Sequence, residues 1–236
     1  MIKFNPIIKN KNTMSHLDFE LKKLKEESIE MFDLVTMQMR KSQQAFINLD
    51  RNIAHEVNFN EKRVNALELK IDKDCENIFA LFNPVAVDLR FVLAVLKINS
   101  NLERIGDIAD GISRYVVDST NKFDEELLEV TRVNEMFEMA VKMLVDVRRA
   151  FDSEDSKLAR GVFQKDELLD GINADANRVI ENYIIKKQEN ISQSLHIISA
   201  IRKLERTGDQ IKNVAEEIIF FLEAKVLKHV SPEKKM

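Results

Sequence analysis

Residues 101–112 read NLERIGDIADGI, and residues 203–214 read KLERTGDQIKNV. Each carries Leu-Glu-Arg-x-Gly-Asp, 102 residues apart, inside a run of apolar residues at helical spacing. Phe91, Val95, Ile98, Leu102, Ile105, Ala109, Ile112 and Val116 form a 4-3-4-3 seam. Its counterpart runs through Ile197, Ile201, Leu204, Gly208, Ile211, Ala215, Ile218 and Leu222. Seams of this period present one stripe of a helix to its bundle partners. A repeat near 100 residues implies two tandem units built alike. The expected fold class is all-α: two tandem antiparallel three-helix bundles related by internal pseudo-symmetry, over residues 15–120 and 121–229.

Turn formers are scarce, with 5 Gly and 3 Pro in 236 residues, so long helices must share few breaks. Ser15 with Asp18 is expected to cap a first helix reaching about Ala54, with HEVNFN at 55–60 as the interruption. A second helix then runs to about Phe82, where NPVAVD at 83–88 ends it, because the residue before proline avoids the helical region. A third reaches about Val117, stopped by DSTN at 118–121. A fourth spans Asp124 to Phe151, followed by the polar turn DSED at 152–155. Helices five and six meet near KKQEN at 186–190.

Several functions are excluded by what the chain lacks. Charge is balanced, 36 Lys and Arg against 40 Asp and Glu, so no basic excess invites nucleic acid. Cys75 is the single cysteine and is read as a small buried thiol. The opening MIKFNPIIKNKN lacks an apolar core and a cleavage site, so it reads as no secretory signal. The longest apolar run, FVLAVL at 91–96, is too short to span a bilayer. The expectation is a soluble cytoplasmic protein. None of His16, His55, His196 or His229 follows a Glu by three residues, so the ligand pattern of catalytic di-metal bundles is missing. No nucleophile–histidine–acid set or phosphate-cradling glycine loop is visible either. Nothing here points to an enzyme.

The carboxylates are the chemistry that remains. Glu103 and Asp107 share one helix face, opposite the apolar seam. In an antiparallel hairpin, residues at equal height have a constant midpoint. Glu68 with Asp107, and Asp72 with Glu103, both centre on 87.5, at the NPVAVD loop. Asp166 with Asp209, and Asp170 with Glu205, both centre on 187.5, inside KKQEN. Each half is therefore expected to gather four carboxylates on its outer surface. Two unit charges about 6 Å apart repel by roughly 2–3 kcal/mol at an effective dielectric near 20. Solvent screening, shared protons, a nearby Arg104 or Arg206, or a bound cation would each relieve that. Oxygen-only ligands suit hard ions such as Mg, Mn, Ca or iron. Gly106 and Gly208, which cost a helix about 1 kcal/mol each relative to Ala, suggest close packing of a neighbour or room for an ion.

The phrase LERIGDIADGI, preceded by NPVAVDLR, resembles the PhoU family of phosphate-transport accessory proteins. KLERTGDQIKNVAEEIIFF is similar to the second copy of that family's signature, and KDELLD at 165–170 to its acidic segment. The resemblance extends over about residues 15–228. It implies a pair of three-helix bundles acting as a cytoplasmic, metal-binding negative regulator. Such a protein would link the ATPase subunit of a phosphate ABC transporter to a phosphate-sensing histidine kinase. It implies iron, Mn or Mg held by Glu68, Asp72, Glu103, Asp107, Asp166, Asp170, Glu205 and Asp209. Where the family has Gln before the proline this chain has Asn83, and its usual histidines are Ile108 and Gln210. Asn213 is kept, while its first-half counterpart is Gly111, making Asn213 and the neighbouring Asp110 candidate auxiliary ligands. The alternatives are an adaptor for a different phosphate importer, or a scaffold whose acids only solubilise it. RKLER at 202–206 is a candidate interaction surface. Outward Phe220 and Phe221 suggest a homodimer.

Overall fold

Ser15 begins the first helix as expected: its hydroxyl accepts from the Asp18 amide while the Asp18 carboxylate accepts from the Ser15 amide, a capping box. The computed structural model describes residues 15–119 and 121–227; the opening segment, His229 and the last residues of the second repeat lie outside them. Among the described residues the chain forms seven α-helices and no strand. These are α1 (His16–Asn48), α2 (Arg51–Phe82), α3 (Ala86–Asp118), α4 (Glu125–Thr131), α5 (Val133–Ser153), α6 (Ser156–Lys186) and α7 (Ile191–Glu223), with a 3₁₀ turn at Gln188–Asn190.

Two boundaries differ from the sequence reading. The break between α1 and α2 falls at Leu49–Asp50, and HEVNFN lies within α2. Leu49 adopts the left-handed conformation at φ 52°, and Asp50 accepts from the Asn52 and Ile53 amides at 3.0 and 3.1 Å. HEVNFN stays helical because Ala54, Val57 and Glu61 continue the buried stripe through Val64 and Ile71. The helix expected over 124–151 is split at Arg132, which sits at φ 55°. The split lets α4 rest mainly on α6 while α5 enters the core against α1, α6 and α7. The remaining tips match their signals: Asn83 closes α2 at φ 46°, Asp155 caps α6, and Lys187 ends it.

The two halves share one core rather than holding a small core each. α3 packs along α7, and α1 along α5. Phe32 and Phe91 from the first half meet Phe151 and Phe221 from the second, with ring centroids 5.4 to 6.1 Å apart. Phe221 is buried in this cluster, and Phe220 lies under the Lys97 ammonium, so neither forms the apolar strip expected of a dimer. Cys75 is fully buried, and burial pushes its thiol up to about 12. No helix among the described residues is long and apolar enough to cross a membrane.

Candidate metal centre

Antiparallel packing of α6 on α7 brings Asp166 against Gly208. A Cβ on Gly208 would collide with Asp166 Oδ1 and lie 2.7 Å from Leu169 Cδ1. The glycine therefore makes room for a carboxylate. The two residues have their midpoint at 187, within a residue of the register expected from the sequence. In the first half, a Cβ on Gly106 would lie 3.0 Å from Val64 Cγ1 and 3.3 Å from Glu61 Oε2. Glu61, not Glu68, thus takes the place that Asp166 takes in the second half.

The first hairpin is consequently shifted from its expected register: Glu61 with Gly106 centres on 83.5 and Asp72 with Asn99 on 85.5, rather than 87.5. Asn83 and Pro84 turn the chain at once, and α3 begins at Ala86. Glu68 and Asp72 stand about two and three turns along α2 from Glu61. Asp72 accepts from Asn99 Nδ2 at 2.8 Å, so its partner on α3 is Asn99 rather than Glu103. Glu68 still feels α3: burial, Asp72 and Asp107 raise its carboxyl above the usual range. Burial, Asp107 and Glu68 do the same to Glu103. The signal for Glu61 was present in Gly106, whose close-approach partner must sit near equal height across a tip at Pro84.

Glu61 is 8% exposed, and neither carboxylate oxygen has a hydrogen-bond partner. Burial, then Asp107, Asp110 and Glu103, push it up to about 7. Leaving such a group unsatisfied costs about 1–3 kcal/mol, so the position demands a proton or a cation. Asp166 is 2% exposed, with Oδ1 unpartnered, and burial pushes it up to about 6. The acids are thus not all outward-facing: Asp166 and Asp110 are buried.

The halves differ in countercharge. In the second, the Lys212 ammonium pairs with Asp166 and sits 2.8 Å from Asp209. Burial works against that ammonium, but the two carboxylates prevail and raise its pKa. One repeat earlier, the position of Lys212 holds Asp110. Asp110 accepts from Asn58 Nδ2 and from Arg114, 2.7 Å away. Asp170 is exposed beside a cavity of about 530 Å³ that Asp166 and Asp209 also line. Glu205 is held above the usual range by burial, Asp209 and Asp170. Asn213 donates to Asn101 Oδ1 at 3.3 Å, across to the first half.

The donor set suits a hard cation by its chemistry, and the orphaned Glu61 carboxylate beneath Gly106 is the feature that fits one best. The fit is not one of preformed geometry: among the described residues, no three His, Cys, Asp or Glu side chains converge enough to hold an ion. In the second half, Lys212 already stands between the two acids.

A duplicated all-α bundle whose hairpins each set a carboxylate against a glycine is the class of protein that this fold and site define. Its family follows from likeness over most of the chain. The PhoU domain matches twice, at residues 29–116 and 133–218, and the protein belongs to the PhoU family. The "Phosphate-specific transport system accessory protein PhoU" of Edwardsiella tarda is 30% identical over 221 residues, covering 94% of this chain and 90% of that protein. The Escherichia coli K12 protein of that name is 28% identical over 225 residues, covering 95% and 92%. The crystal structure of PhoU from Pseudomonas aeruginosa superposes with a TM-score of 0.80 at 30% identity, covering 89% of this chain and all of that one. The Streptococcus pneumoniae phosphate transport system regulatory protein PhoU also gives 0.80, at 27% identity.

Proposed function

We propose that this protein is the accessory protein of a phosphate-specific transport system and regulates uptake by binding rather than catalysis. The observation that carries the reading is the likeness to proteins of that name along nearly the whole length of both partners. It works in the cytoplasm, where it contacts the ATPase subunit of a phosphate ABC transporter and a phosphate-sensing histidine kinase, restraining the starvation response when phosphate is plentiful.

Its first half takes up a hard cation, iron, Mn or Mg. Glu61 supplies the buried carboxylate, and Glu103 and Asp107 supply the outer ones, with Glu68 and Asp110 adding negative field. Such a cation would supply the positive charge that Glu61 lacks. For the second half, the Lys212 contacts favour the other reading, a scaffold whose acids are neutralised from within; Asp166, Asp170, Glu205 and Asp209 hold metal there only if that lysine withdraws.

The test is capture from cell extract with the tagged full chain, with and without chelator, alongside elemental analysis. Retention of the ATPase subunit or the kinase is expected, as is a metal content that falls when Glu61, Glu103 and Asp107 become Ala. Retention of neither partner in either condition would sink the regulatory reading. Unchanged metal in the triple variant would remove the ligand assignment.

A further inference from the structure

The repeat places Arg104 and Arg206 at equivalent positions, and the packing of α3 on α7 brings both to one cleft between the halves. The cleft has a volume of about 720 Å³. Lys203, half-buried, reaches into it over Gly111, where a Cβ would lie 2.6 Å from its ammonium. That explains the glycine: any larger residue would push the lysine aside. The Lys203 ammonium also lies 6.0 Å from the Tyr115 ring centroid. Burial and the neighbouring Arg206 lower the pKa of Lys203, against the pull of Asp107 and Asp110. Three carboxylates share the cleft, but Asp110 is engaged by Arg114 and Asn58, leaving Asp107 and Asp118 at the walls.

Arg104 and Arg206, two guanidinium forks, line this cleft together with Arg114 and with Lys203, a lysine partly withdrawn from solvent, so its four cations outnumber the carboxylates of Asp107, Asp110 and Asp118. Guanidinium groups match tetrahedral oxyanions two bonds at a time, and ammonium adds a compact charge. We propose that the α3–α7 cleft binds a phosphate-class oxyanion through Lys203, Arg206 and Arg104, either inorganic phosphate or the phosphates of a nucleotide. The repeat makes the site: each half contributes one arginine, so it exists only where the halves meet. The proposal does not depend on metal binding or on the transporter partners.

Equilibrium dialysis of the full chain, with chelator present and ionic strength fixed, tests it using labelled inorganic phosphate in one arm and labelled ATP in the other. Saturable binding in at least one arm is expected, and the stronger arm identifies the source. Lys203→Met should weaken it about tenfold, the usual worth of one charge-assisted hydrogen bond. Arg206→Gln should do likewise, which covers the case in which Lys203→Met fails to fold by circular dichroism. Lys142→Met, an exposed lysine on α5, should leave it unchanged. No saturable binding in either arm would overturn the site, as would equal weakening by Lys142→Met or affinity untouched by both cleft variants. Failure here leaves metal content and partner capture unaffected, so the two readings fail separately.

Discussion

Asp166 rests against the backbone of Gly208, so that the space of a missing methyl group on α7 is filled by a carboxylate from α6. Glu61 stands in the same relation to Gly106, one repeat earlier. Both acids are buried, and both keep at least one oxygen without a hydrogen-bond partner.

Gly208→Ala should therefore lower stability by about 1–3 kcal/mol, the usual cost of overpacking. The added methyl meets a short Asp side chain and Leu169, neither of which can swing clear. Gly111→Ala makes the contrast: its methyl meets only the far end of Lys203, and alanine's helix propensity offsets the displacement. Urea unfolding of the two variants should show a large loss for the first and a change under about 1 kcal/mol for the second.

Lys212→Met leaves Asp166 and Asp209 without their shared ammonium. Removing one partner of a largely buried pair exposes the remaining charge to its full desolvation penalty. Because Lys212 is itself partly exposed, thermal unfolding in chelator should show the variant less stable by about 1–3 kcal/mol, the cost of an unsatisfied buried polar group. Added Mn should then raise its Tm more steeply than that of the parent protein, since the space of the ammonium becomes open to a cation. Equal Mn responses would show that the lysine does not stand in a cation's place.

Glu61 titrates at about 7 in the folded chain against an ordinary value near 4.5. Between those two values the folded state holds a proton that the unfolded state has lost, so stability falls as pH rises. The contribution is complete below 4.5 and gone above about 7. At 1.36 kcal/mol per unit it amounts to about 3 kcal/mol. Glu61→Gln cannot ionise, so its stability relative to the parent should rise across that window and level off beyond it. Denaturant titrations in chelator from pH 4 to 8 check this; a constant difference would mean that Glu61 is not desolvated.

Phe151 touches aromatic rings from both halves, Phe32 and Phe91 on one side and Phe221 on the other. Phe151→Ala should cost about 3–5 kcal/mol. Because the core is continuous, the loss should appear as one cooperative transition at lower denaturant. Two separated transitions would instead show that each half folds by itself.

The seams, the duplication and most helix ends were legible in the sequence because each rests on local chemistry: apolar spacing, capping side chains, proline. The second hairpin could be registered to within a residue, since KKQEN marks its tip. The first could not, because NPVAVD was read as a broad loop, whereas Asn83 adopts φ 46° and α3 starts three residues later. That shift hid Glu61 behind Glu68. The Leu49–Asp50 break was equally obscure: nothing but an aspartate announces it, and a leucine in the left-handed region is uncommon. The cleft at Lys203 required the halves to be docked, which no local pattern specifies.

The exchange of Asp110 for Lys212 gives the duplicated arms different temperaments. One arm comes with its own counterion tethered by a covalent stem, so its shape is indifferent to the ionic composition around it. Its twin has Arg114 on Asp110 but leaves both oxygens of Glu61 without a hydrogen-bond partner. The two arms meet in one continuous core.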